Sequence, residues 1–136
     1  DTRLRELLSL RLLLEPELCR RAIPRIHAAL IGRLSTINKG IEVMIEKEDP
    51  DGYLKRNIEL HKTIYLRAQA PTMLAVLETV LLQLGPTMKS VLNKNMQSLA
   101  IENHTNIISA LSSGNFEKLI KFIRADITFD FEQLLP

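Results

Sequence analysis

The chain has 136 residues, 46% hydrophobic and 25% charged, with a formal net charge of +2. That length suits a single domain with a proper core, and the near balance of charge excludes nucleic-acid binding through a broad basic face. Cys19 is the single cysteine, so no internal disulfide can form and a reducing, cytoplasmic setting is expected. No apolar run reaches the ~18 residues of a membrane span, and no basic-then-apolar leader opens the sequence.

Helical periodicity runs almost from end to end, broken by short punctuation. The first helix is expected from Thr2 to Ala22, in the pattern of Leu4, Leu7, Leu8, Leu12, Leu14 and Leu18, with Pro24 ending it. Pro24 is tolerated in a first turn, so the second helix is expected from Pro24 to about Lys47. Asp49-Pro50-Asp51-Gly52 reads as a turn. A third helix follows from Tyr53 to Gln69, and Ala70-Pro71 restarts the chain as a long apolar fourth, with a kink expected at Gly85-Pro86. The fifth is placed at Gln97–Ser112; Ser112-Ser113-Gly114-Asn115 is a stop and restart, and the sixth runs from Phe116 to Leu134. No convincing alternation calls for a strand, so the expectation is an all-α antiparallel bundle of about six helices forming one domain over residues 1–136. A chain opening on Asp1-Thr2-Arg3-Leu4 in mid-helical pattern, without an initiator Met, is expected to be a fragment or a processed piece.

Function shows in the polar residues that fall inside apolar stripes when each helix is drawn at 100° per residue. Asn57 and His61 lie four apart among Leu54, Ile58, Leu60, Ile64 and Tyr65. His104 is at the centre of Ala100, Ile101, Ile107, Ile108 and Leu111. Asp126 is at the centre of Leu119, Phe122, Ile123 and Phe129, with Asp130 one turn on as a lesser candidate. One histidine on an apolar face is more often a hydrogen-bonded core residue than a ligand. Four ligand-type groups in three stripes suggest a shared polar pocket, because a buried unpaired imidazole or carboxylate costs several kcal/mol unless paired or bound to metal. Two imidazoles and a carboxylate suit a divalent Zn, Ni, Mn or Fe ion. Arg11 and Glu15 also interrupt a Leu-rich stripe: they form either an i, i+4 salt bridge or a site where Arg11 forks onto a ligand carboxylate. His27 has no such company and reads as surface or rim.

These residues, in this order, resemble the C-terminal effector domain of the FadR-type branch of GntR transcription regulators. Arg11-Leu-Leu-Leu-Glu15-Pro16 resembles that family's R-x-x-L-E-P, and Asn57-Ile-Glu-Leu60-His61 its D-x-x-F-H, with Asn for Asp and Leu for Phe. Ala70-Pro71-Thr-Met-Leu74 resembles its N-P-x-L without the Asn. His104-x-x-Ile107-x-x-Ala110-Leu111-x-x-Gly114-Asn115 resembles H-x-x-I-x-x-A-I-x-x-G-D throughout. Asp126 stands where the family's third metal-binding His usually falls.

The resemblance implies a homodimeric helical bundle that binds a small carboxylate effector, often through a metal. It also implies an N-terminal winged helix-turn-helix, outside this sequence, through which alone DNA would be bound. It places the metal on Asn57, His61, His104 and Asp126 and the effector on Arg11, with no catalytic residue. A ligand-free dimerisation module and a metal-dependent hydrolase stay open as alternatives; the second lacks a separate general base and a nucleophile motif.

Overall fold

The structure, a computed structural model, describes residues 1–135. It contains α1 (Thr2–Ala22), α2 (Ala28–Glu46), α3 (Pro50–Tyr65), α4 (Pro71–Val91), α5 (Lys94–Ser113) and α6 (Phe116–Leu134). Short 3-10 turns occupy Ile23–Arg25 and Leu66–Ala68. No strand occurs among the described residues, so the all-α expectation holds.

Capping by short polar side chains explains where four helices begin. Asp1, Asp49, Asn93 and Asn115 each accept a bond from the backbone N–H three residues on, at 2.9–3.2 Å, satisfying one of the four donors that a helix start leaves free. These caps correct two expected boundaries. Asp49-Pro50-Asp51-Gly52 is not a free-standing turn: Asp49 caps α3, and the next three residues are its first turn. A Cβ on Gly52 would lie 2.5 Å from Met44 Sδ and 2.6 Å from Asp49 Oδ2, so the glycine lets α3 start against the end of α2. Asn93 likewise starts α5 at Lys94, ahead of the expected Gln97.

A further correction concerns a proline. Pro24 does not open α2; it lies in a 3-10 turn, and Ile26 and His27 are extended before the helix begins at Ala28. Half-buried Ile23 and Ile26 pack against the core there, fixing the corner. In α4 the helical run passes through Gly85 and Pro86 to Val91. At the other corner α3 ends at Tyr65, short of Gln69, whose φ of 52° turns the chain. Gly114, at φ 68°, ends α5 in the left-handed conformation that glycine adopts without penalty.

Packing closes a ring in which α1 contacts α3, α3 contacts α2, α2 contacts α5, α5 contacts α6, and α6 returns to α1. The helix α4 lies against α1, α3 and α6. The main core fills the ring with Leu18, Leu34, Ile41, Leu60, Ile64, Ile107 and Ile123. A smaller cluster of Leu4, Leu7, Leu8, Val80, Leu84 and Leu134 fastens α4 to α1 and α6. Within this apolar interior Arg11, Glu15, Asn38, His61, His104 and Asp126 are buried, and every helix of the ring contributes at least one of them.

Candidate metal centre

His61 of α3 and His104 of α5 meet edge to face, with ring centres 5.6 Å apart and planes at 79°. Asp126 of α6 completes the group, its Oδ2 3.3 Å from His61 Nε2. One nitrogen from each imidazole and one Asp126 oxygen all lie within 4.8 Å of one another. The far nitrogen of His61, Nδ1, stands 3.4 Å from Glu15 Oε1. Both carboxylates are in ion-pairing range of His61, yet neither is aligned to accept a hydrogen bond from it. His104 is half-satisfied: Nδ1 bonds Asn38 Oδ1 at 3.2 Å, and Nε2 is buried without a partner. Asn57, one turn before His61, also holds a buried and unpartnered Oδ1. A lone buried polar atom costs about 1–3 kcal/mol, and here several are gathered at one point.

The surrounding charges are unequal. Arg11 bonds Glu15 Oε2 through Nε at 2.5 Å and pairs with Asp130 through its terminal nitrogen. Tyr65 donates to Glu15 Oε1 at 2.7 Å, and Asn103 donates to Asp126 Oδ1 at 3.4 Å. Glu15 and Asp130 thus share one guanidinium, while Asp126 faces His61.

Burial pushes the Glu15 carboxyl up, but Arg11 and His61 outweigh it and hold the group at about 2. Burial opposes a charge on His61, yet Asp126 and Glu15 raise it to about 9. His104, where burial dominates, falls to about 4. Asp126 is held well below the carboxylate range, since His61, His104 and Arg11 overcome its burial. Burial lifts Asp130 to about 6, against the pull of Arg11. Without a cation, then, His61 supplies the positive charge the pocket lacks.

Every residue singled out in the sequence stripes is at or beside this point except His27, which is exposed ahead of α2 as expected. Arg11, Asn57, His61 and Asp130 line a cavity of about 40 Å³ together with Leu84 and Gly85 of α4, room for about three waters. A wider groove of about 560 Å³ lies outside, between Leu13, Pro16, Phe116 and Arg124, and touches none of the orphaned groups. The Arg11–Glu15 bridge read from spacing is present, but Asp130 joins it from 119 residues away. Asn38 and the contact of Glu15 with His61 were missed. For Asn38 the signal existed: it falls inside the stripe of Leu30, Leu34, Ile37 and Ile41, as Asn57 does in its own.

The chain matches the FCD domain over residues 6–129. It belongs to the FCD domain family. Solved structures share its fold. Escherichia coli McbR/YncC aligns with a TM-score of 0.91 at 19% identity, over 98% of this chain and 68% of that one. Streptococcus agalactiae GntR aligns at 0.81 and 25% identity, over 97% and 60%. Listeria monocytogenes Lar aligns at 0.80 and 12% identity, over 95% and 61%. The chain therefore spans about three-fifths to two-thirds of these relatives' length. No curated protein matches it by sequence. The resemblance to the effector domain of GntR-type regulators is borne out, and this FCD domain is of the regulatory, effector-binding kind. No described helix is long and apolar enough to cross a membrane.

Proposed function

We infer that this domain senses a small carboxylate effector through a divalent cation held by His61, His104 and Asp126, with Asn57 as a weak fourth donor. One observation carries the reading: two buried imidazoles and a carboxylate converge within 4.8 Å while imidazole nitrogens there lack hydrogen-bond partners. The donor set suits Zn, Ni, Mn or Fe(II), and a cation would offset the excess of buried carboxylate. When bound, it would offer open coordination positions to an anionic ligand.

The chain's own residues set the terms of ligand entry. A cavity of about 40 Å³ is too small for an organic acid, so ligand entry would widen it, for which α4, lining it through Leu84 and Gly85, is the candidate to shift. Arg11 borders that cavity but is already paired with Glu15 and Asp130. An incoming carboxylate would take the place of Asp130, whose proton affinity is raised by burial, while Glu15 keeps Arg11 in place. Because α4 packs on α1, α3 and α6, its shift would be felt along α1. In a homodimer carrying winged helix-turn-helix domains in the cytoplasm, that movement would change DNA binding if the effector prefers one of two arrangements.

The test is metal content by inductively coupled plasma mass spectrometry, on protein purified without a metal-affinity step. About one divalent metal per chain is expected, and it should be lost when His61 and His104 are both replaced by alanine in a chain that still folds. Metal equally retained by that double variant defeats the reading.

A further inference from the structure

The ring of helices contains a chain of hydrogen bonds that runs in one direction, beginning at a group that can only accept. Thr105 Oγ1 donates to the backbone carbonyl of Ile101 at 3.0 Å. With its proton committed there, Thr105 oxygen accepts from Asn38 Nδ2, at 3.4 Å. That contact orients the Asn38 amide with Oδ1 toward His104 Nδ1, at 3.2 Å. An amide oxygen only accepts, so in this orientation His104 Nδ1 carries the proton. In a neutral imidazole the other nitrogen then holds a bare lone pair. That nitrogen is Nε2, buried and without a partner, on the ring that meets His61 edge to face.

We propose that Asn38 is a positioning residue of the metal centre, fixing His104 in its Nδ1–H tautomer and reserving Nε2 for the cation. The proposal rests on the metal reading above for its purpose, but the tautomer itself is a property of the metal-free chain. His61 has no equivalent device. Its two nitrogens face Asp126 and Glu15 off axis, and neither forms a hydrogen bond that would select a tautomer. Asn38 belongs to α2, a helix that contributes no ligand of its own, and Thr105 is exposed on α5. The pair therefore orients the ring from behind, as outer partners of metal-bound histidines generally do.

The experiment uses the 136-residue chain labelled with nitrogen-15 at histidine, metal-free at pH 8, and reads long-range proton–nitrogen correlations. Zinc affinity is measured in parallel by competition with a chromophoric chelator. The wild type should show His104 with Nδ1 protonated and Nε2 bare. Asn38→Leu should mix the tautomers and weaken zinc binding about 10–100-fold, whereas Asn38→Asp, which keeps an acceptor, should restore the Nδ1–H form. Thr105→Val, a change at an exposed position, covers the event that Asn38→Leu does not fold, and should give a smaller shift in the same direction. A protonated Nε2 in the wild type overturns the proposal, as does an unchanged tautomer in both Asn38→Leu and Thr105→Val. A wild type with the Nδ1–H tautomer that takes up no zinc supports the assignment to Asn38 and defeats the metal reading instead.

Discussion

His61 and His104 stand 5.6 Å apart between ring centres, and the groups behind them differ in kind. Behind His61 is charge: Glu15, Asp126 and, through Glu15, Arg11 with Asp130. Behind His104 is a neutral relay through Asn38 and Thr105. The carboxylates draw a second proton onto His61, whereas burial keeps His104 neutral. The difference teaches that the same residue type, equally buried, takes opposite charge states according to its surroundings. At His61 a proton holds the place of the positive charge. At His104 the Nε2 lone pair is left free in the arrangement proposed above.

The largest effect should come from breaking the charged side. Arg11→Met leaves Glu15 and Asp130 without their guanidinium, and removing one partner of a buried pair costs about 3–5 kcal/mol. Urea unfolding should show a loss of that size, and a loss below about 1 kcal/mol would mean that the carboxylates are satisfied by other means.

Next comes pH, which acts on the two histidines with opposite sign. In metal-free protein His61 is raised from its ordinary 6.5 to about 9. Its contribution to stability is complete below about pH 6.5 and disappears as pH rises through 9. His104 is lowered to about 4, so its contribution is complete above 6.5 and is lost as pH falls toward 4. Each limb should be worth on the order of 1–3 kcal/mol. Thermal melts from pH 4 to 10 should therefore lose the alkaline limb in His61→Gln, while His104→Gln flattens the limb between 6.5 and 4. Identical profiles for the two variants would erase the proposed contrast.

A smaller change sharpens the contrast from the ligand side. Asn57 brings an unpartnered amide oxygen to a pocket already rich in carboxylate. Asn57→Asp should raise zinc affinity about tenfold while lowering metal-free stability by about 1 kcal/mol; chelator competition and urea melts read the two signs. The smallest effect is the control. His27→Ala, at an exposed residue with no side-chain bond, should leave stability within about 0.5 kcal/mol and zinc affinity unchanged.

Local rules made much of this legible. Leucine and isoleucine at helical spacing gave the six helices, and polar residues inside those stripes picked out Asn57, His61, His104 and Asp126, now found at or beside one point. Asn38 obeys the same rule, but its stripe of Leu30, Leu34, Ile37 and Ile41 holds no imidazole or carboxylate to mark a site, as His61 does beside Asn57. The pairing of Arg11 with Asp130 and the contact of Glu15 with His61 were not legible, because each joins residues far apart in sequence and depends on how the ring closes. The start of α2 was misplaced because Pro24 suits a 3-10 corner as well as a first helical turn, and the packing of Ile23 and Ile26 decided between them.

The central claim is that His61, His104 and Asp126 hold a divalent cation. Isothermal titration of metal-free protein with zinc, run beside a His61→Ala/His104→Ala double variant of matching circular dichroism, tests it most directly. The account predicts one site per chain in the wild type and at least a hundredfold weaker binding in the variant. Equal zinc binding by the two proteins, or none by either, would contradict it.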